Sequence, residues 1–169
     1  MIRSRATLLF VIAATAMLLT GCNQLVTHRS IGIDPADIAD VELYVYAWGE
    51  NSKTVDRITI ANDSGNGEIV EKLVDIFTGV PTTDLDDDVE ERMPGAETLG
   101  VRYVLHDGTT VELTRILVER YDAILIWPDL TASHTEWGAP DALDYYSEFG
   151  TVEQVDASER PQAELPGQR

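Results

Sequence analysis

The segment 41–48, VELYVYAW, alternates with a period of two and is the feature that most restricts how this chain can fold. Every second residue, beginning at Val41, is aliphatic: Val41, Leu43, Val45 and Ala47. The residues between them are mainly aromatic: Glu42, Tyr44, Tyr46 and Trp48. Successive side chains of a β-strand point to opposite faces, so the pattern predicts a strand. The fold must therefore contain a sheet with an aliphatic face in the core and an aromatic second face.

Four further short strands are predicted, at 55–60, 100–108, 109–118 and 123–129. Asp107-Gly108 is a strong hairpin signal, because both residues tolerate the positive φ angles of a tight turn. The last three strands therefore follow one another as an antiparallel meander.

One longer helix interrupts the strands, beginning near Glu68. Apolar residues then recur at helical spacing: Ile69, Leu73, Ile76, Phe77 and Val80. Asn66 or Ser64 is placed to cap this helix, and Gly79 and Pro81 are placed to end it.

The predicted fold class is α+β: an antiparallel sheet of about five strands, with the main helix packed on one face and a short C-terminal helix at 141–149. Residues 38–150 form a single domain in this interpretation. Residues 151–169 lack an apolar face and are predicted to be a disordered acidic tail.

The N-terminus has the layout of a secretory signal peptide. Arg3 and Arg5 precede an uncharged apolar run, which is followed by Leu19-Thr20-Gly21-Cys22. That tetrapeptide resembles the lipobox of bacterial prolipoproteins, and the resemblance covers residues 1–22. It implies a signal peptide at 1–21, a diacylglyceryl group on the Cys22 thiol, and a flexible tether at 22–37. The expected location is the extracytoplasmic face of the cell membrane, held by the lipid.

Charge and cysteine content exclude several classes of function. The net charge is −18, which disfavours nucleic acid because phosphate contacts need basic side chains. Cys22 is the single cysteine, so no intramolecular disulfide and no cysteine-based zinc site can form. Residues 84–91 are rich in Asp and Glu, but their spacing leaves the calcium-loop pattern after Asp88. We therefore expect neither a metal nor another cofactor.

No motif of a known catalytic site occurs in the chain, and we expect no enzyme activity. The leading hypothesis is a membrane-anchored binding or interaction module whose partner is an unidentified protein, peptide or glycan. A small envelope hydrolase and a calcium-dependent adhesion or structural lipoprotein are the alternatives.

Aromatic side chains are the candidate ligand-binding residues, because they are enriched at recognition surfaces. The set comprises Tyr44, Tyr46, Trp48, Trp127 and Trp137. The first three share one strand face. The competing interpretation is that the helix covers this face and makes them core residues.

Overall fold

The computed structural model describes residues 25–63, 65–136 and 146–163. This part contains nine strands and two α-helices. The strands are β1 (Thr27–Arg29), β2 (Ile38–Ala47), β3 (Thr54–Ala61), β4 (Val80–Thr82), β5 (Glu97–Leu105), β6 (Thr110–Glu119), β7 (Asp122–Ile126), β8 (Ala132–Thr135) and β9 (Thr151–Asp156). The helices are α1 (Gly67–Asp75) and α2 (Val89–Arg92), with short 3₁₀ turns at Pro35–Asp37 and Ala157–Glu159.

Seven strands form one antiparallel sheet in the order β8-β7-β6-β5-β2-β3-β9, and β1 pairs with β4 in a two-stranded sheet. Thr83 and His134 join the two sheets by exchanging backbone hydrogen bonds of 2.9 and 3.0 Å. The outer edge of β8 is therefore partly paired, whereas β9 ends the large sheet on the other side.

The predicted α+β fold with about five strands is wrong, because the described part of the chain is mostly β, with a seven-stranded antiparallel sheet and a two-stranded sheet beside its one main helix. The five predicted strands lie within β2, β3, β5, β6 and β7. The additional strands β1, β4, β8 and β9 have three to six residues each. Such short strands carry too little alternation to be distinguished from loops. The pairing partners of β1, β4 and β9 are also distant in the chain, whereas β8 pairs with the neighbouring β7.

The main core lies between α1 and the aliphatic face of the sheet. Helix α1 buries Ile69, Val70, Leu73 and Val74 in a cluster with strand residues that include Leu43. Each buried aliphatic side chain contributes roughly 1.5–3 kcal/mol. The buried Tyr103 hydroxyl of β5 also donates to the Leu73 carbonyl at 2.7 Å, which holds the helix on the sheet.

The helix is shorter than the sequence predicted. It ends at Asp75, and Val80 belongs to β4 rather than to the helix. Asn66 occupies the N-cap position but makes no side-chain capping hydrogen bond, and Ser64 lies outside the described residues. Of the predicted helix 141–149, residues 141–145 also lie outside them.

Both predicted flexible ends are ordered in part. Strand β1 lies inside the predicted tether 22–37 and pairs with β4. The prediction of a disordered tail at 151–169 is wrong for residues 151–163. Strand β9 pairs with β3, and residues 157–163, which we call the C-terminal segment, follow it. Cys22 and the signal segment lie outside the described residues, and among those described no helix is long and apolar enough to cross a membrane.

Candidate ligand cleft

Tyr44 lies in the interior of the fold, on the sheet face opposite α1. Its side chain has no solvent exposure. Its hydroxyl donates to Glu42 Oε2 at 2.7 Å and accepts from Arg102 Nη1 at 2.6 Å. Burial, and then the Glu42 acceptor, raise the pKa of Tyr44 to about 12. Tyr44 is therefore a core residue and offers no surface to a ligand.

The C-terminal segment covers this face, not helix α1 as the competing interpretation held. Arg102 donates to the Glu159 carbonyl at 2.7 Å, and Arg57 forms ion pairs with Glu153 at 2.6 Å and Glu159 at 3.0 Å. These contacts tie β9 and the start of the segment to the centre of the sheet.

Gly100 permits the close approach of the segment. A Cβ atom built at Gly100 would lie 2.9 Å from Pro161 Cδ. Only a residue without a side chain therefore leaves room for the proline ring where it lies. Further along, Ala163 packs against the cluster that α2 and β6–β7 form around Ile116.

Tyr46 and Trp48 differ from Tyr44, because both are partly exposed where β2 ends. Together with the C-terminal segment they enclose a cleft of about 380 Å³. Its lining residues are Tyr46, Trp48, Gly49, Ala157, Ser158, Arg160, Pro161, Gln162 and Ala163. One wall is thus the end of a central strand, and the other is the segment that crosses it.

Hydrogen bonds hold both walls of the cleft. The Trp48 N–H donates to the Ala96 carbonyl, and the Gly95 N–H donates to the Trp48 carbonyl, each at 2.8 Å. On the opposite wall the Asp156 carboxylate accepts from the Ser158 N–H at 2.9 Å and from its hydroxyl at 2.7 Å. These bonds lower the pKa of Asp156. The walls are therefore positioned without a ligand.

Among the described residues that line the cleft there is one cation and no anion. Arg160 is its one charged lining residue, and its guanidinium carbon lies 4.6 Å from the centroid of the Tyr46 ring. This distance is within the range of a cation–π contact. Burial raises the pKa of Tyr46, and the Arg160 charge opposes that rise.

The two remaining predicted aromatic residues are not brought into the cleft. Trp127 is buried in the main core, its Nε1 donates to Ser133 Oγ at 2.8 Å, and Arg29 lies 4.5 Å from its ring centroid. Trp127 is therefore a structural residue, and Trp137 lies outside the described residues.

His134 lies beside a second, more open cavity, and both of its ring nitrogens have a partner. Its Nε2 lies 2.6 Å from Asp122 Oδ1, and its Nδ1 lies 3.2 Å from Thr83 Oγ1. Asp122 also accepts from Arg92 at 2.8 Å. These contacts connect Thr83, which follows β4, with α2 and the β7–β8 hairpin. None of these side chains is among the described residues that line the cleft.

The acidic loop 84–91 faces a guanidinium. Asp86 and Asp88 each lie 3.6 Å from Arg92 Nη2. Across the described ranges, no group of three or more His, Cys, Asp or Glu side chains is arranged to hold a metal ion.

Sequence reasoning missed the wall formed by the C-terminal segment, and with it Ser158 and Arg160. The one local signal there is Asp156-Ala157-Ser158. An Asp side chain often accepts a hydrogen bond from the backbone N–H of the second residue after it, as Asp156 does from Ser158. The pairing of β9 with β3 places this turn over Tyr46, and no pattern within the turn itself predicts that pairing.

Comparison with known proteins finds no matching family model, no similar curated protein and no similar solved structure.

Proposed function

We propose that the chain is a membrane-anchored, extracytoplasmic lipoprotein that acts as a non-catalytic binding module, with its ligand held in the cleft. The observation that carries this proposal is the pairing of two partly exposed aromatic residues, Tyr46 and Trp48, with the C-terminal segment around one cavity. Aromatic lining with a few placed polar groups is typical of small-ligand sites.

The size and construction of the cleft support this assignment. Its volume of about 380 Å³ lies within the range of small-molecule pockets, roughly 300–1,000 Å³. Its walls are fixed by the backbone hydrogen bonds of Trp48 and by the hydrogen bonds that Asp156 accepts from Ser158, so binding orders few additional groups. Preorganisation of this kind strengthens binding because less conformational entropy is lost.

The chemistry of the lining favours binding over catalysis. Ser158 is its one aliphatic hydroxyl, and its hydroxyl is engaged by Asp156. Because the pKa of Asp156 is lowered, its carboxylate is a weak base. The described lining residues thus offer no activated nucleophile.

The anchor is proposed from the lipobox, and the position of β1 makes the tether short. Strand β1 begins at Thr27, five residues after Cys22, so the contour between them is at most about 18 Å. The expected tether of 22–37 is therefore reduced to 22–26. Leu25 and Val26, exposed by 81% and 55%, follow the anchor directly. In this proposal the domain stays close to the membrane surface.

A ligand screen tests the site. Neutral and charged monosaccharides and dipeptides are titrated into the mature chain carrying Cys22→Ser. We expect compounds that bind to lose at least about tenfold in affinity in Trp48→Ala, since aromatic anchors dominate such sites. Tyr121→Ala is the matched control, because Tyr121 is exposed and lines the other cavity. Binding that survives Trp48→Ala and is lost in Tyr121→Ala would place the ligand elsewhere and contradict the proposal.

Fractionation of cells tests the anchor. The full chain should be recovered with membranes and extracted by detergent, and Cys22→Ser should be released or remain unprocessed. Unchanged membrane association of Cys22→Ser, with normal removal of the signal, would overturn the lipid anchor.

A further inference from the structure

We infer that the cleft selects a ligand carrying a carboxylate, which the Arg160 guanidinium binds beside the aromatic wall of Tyr46 and Trp48. The inference rests on the proposed function, because it names the ligand class of the same site. It follows from the distribution of charge, from the contacts of Arg160, and from the number of cations in the cleft.

The charge of the cleft is opposite to that of the chain. The net charge of the protein is −18, yet the described residues that line the cleft include one Arg and no Asp or Glu. Glu50 and Asp56 line an adjoining cavity that shares Tyr46 and Arg160. The cleft itself favours an anion, because no described lining carboxylate repels it and the cation repays its loss of hydration.

Arg160 differs from the neighbouring arginines in its partners. Arg57 and Arg102 are each paired with glutamates at 2.6 to 3.0 Å. For Arg160, in the part of the chain that the structure describes, the contact is the Tyr46 ring at 4.6 Å, and no carboxylate lies within 4.0 Å. A ring contact leaves guanidinium N–H groups available, and their fork matches the two oxygens of a carboxylate.

A single cation favours a carboxylate over a phosphate. A phosphate monoester carries nearly two negative charges, so it would meet stronger repulsion from the acidic surface and would need further donors. A carboxylate carries one charge and is satisfied by one guanidinium in a bidentate pair. The partly exposed rings of Tyr46 and Trp48 would then contact the apolar part of the same ligand.

Matched acid and amide pairs test this inference on the mature chain carrying Cys22→Ser. The probes are glucuronate against glucuronamide, for an acidic sugar, and N-acetylalanine against N-acetylalaninamide, for a peptide C-terminus. We expect the acid of at least one pair to bind at least tenfold more tightly than its amide. Preference for glucuronate would indicate an acidic glycan, and preference for N-acetylalanine a peptide end.

Two variants assign the effect to the arginine. Arg160→Gln should remove the acid preference, and Arg160→Lys should retain part of it, because the charge remains while the fork is lost. Arg120→Gln is the matched control: Arg120 also lies against an aromatic ring, that of Tyr121 at 5.2 Å, but outside the cleft. The Arg120→Gln variant should prefer the acid over the amide as strongly as the unmodified protein does. Thermal melts confirm that each variant is folded.

Three results would overturn the inference: equal affinity for acid and amide, an acid preference that persists in Arg160→Gln, or no saturable binding of either acid up to about 50 mM. If acid and amide bind equally well and both bind more weakly to Trp48→Ala, the proposed binding function stands and only the preference for a carboxylate is refuted. Binding that is insensitive to Trp48→Ala would refute the site itself.

Discussion

At the scale of single residues, Tyr44 and Tyr46 show how neighbours on one strand face acquire different roles. They are two residues apart in β2 and point to the same side of the sheet. Tyr44 lies under Arg102 and the C-terminal segment, whereas Tyr46 lies at the edge of that cover and lines the cleft. The alternation 41–48 correctly predicted the strand and its two faces. It could not separate these residues, because the covering segment comes from far along the chain.

Truncating the two tyrosines should therefore affect stability unequally. Tyr44→Ala removes a fully buried aromatic ring and leaves Glu42 and Arg102 without a hydroxyl partner, so we expect a loss of about 3–5 kcal/mol in the free energy of unfolding. Tyr46→Ala should cost clearly less. Denaturant melts provide the measurement. Equal losses at both sites would show that the cleft is closed in solution.

The ionisation of Tyr44 predicts a loss of stability at alkaline pH. Its pKa is raised from 10.0 to about 12 in the folded chain. The unfolded chain therefore releases this proton first, so the folded state loses stability as pH rises from 10 towards 12 and keeps it below pH 10.

Absorbance at 295 nm, compared between folded and denatured protein, measures this ionisation. Tyr44 should titrate about two pH units later in the folded protein, and Tyr44→Phe should reduce the delayed absorbance change by one tyrosine. Tyr46 and Tyr103 still titrate late in this variant, because burial raises their pKa values as well. A delayed change of unaltered size in Tyr44→Phe would refute the assignment to Tyr44.

At the scale of elements, the C-terminal segment is the part of the fold that the sequence least reveals. Strand β9 has one buried residue, Val155, and a mostly exposed pattern, so its local composition is typical of disorder. Its order comes from pairing with β3 and from Arg57, which bridges Glu153 and Glu159. Since these partners lie about a hundred residues away, no local pattern predicts them, and the cleft wall was missed with them.

Substitution of Gly100 should loosen this element selectively. In Gly100→Ala the new methyl group would meet the Pro161 ring, so the C-terminal segment must shift, at a cost of about 1–3 kcal/mol. Hydrogen–deuterium exchange should accelerate in residues 157–163 and stay unchanged in helix α1. Affinity for a cleft ligand should fall in parallel.

Gly150→Ala is the comparison for that prediction. Its methyl group would lie 2.6 Å from the Thr59 carbonyl, which belongs to the backbone of β3, so the pairing of β9 itself should be disturbed. Exchange should then accelerate in residues 151–156 as well. Unchanged exchange of 157–163 in Gly100→Ala would contradict the packing of the segment described above.

At the scale of the whole molecule, the sequence predicted the central strands and the position of the helix but gave the wrong fold class. Strands β2, β3, β5, β6 and β7 have clear alternation or long apolar runs. The short strands β1, β4, β8 and β9 are held by pairing and not by their own pattern. The prediction included only the strands with a clear pattern and therefore gave a sheet of about five strands. The helix was then a larger fraction of the predicted fold than it is of the observed one.

The fold should be stable without a disulfide or a metal ion. The chain has one cysteine, and its core is formed by apolar side chains and by ion pairs such as Arg102–Glu112. A chelator and a reductant should each leave the melting temperature of the mature chain unchanged. A drop of more than about 4 °C with either reagent, which corresponds to roughly 1 kcal/mol or more, would reveal a cross-link or ion absent from this account.

Nitrogen–proton correlation spectra test most directly whether a ligand binds between Trp48 and the C-terminal segment. The indole N–H signals of Trp48, Trp127 and Trp137 are assigned with single Trp→Phe variants. During titration with a compound found to bind, the Trp48 indole and the amides of residues 157–163 should shift together. The Trp127 indole, which is buried and bonded to Ser133, should stay in place. Shifts at Trp127 or around His134, with Trp48 and the C-terminal segment unmoved, would contradict the account.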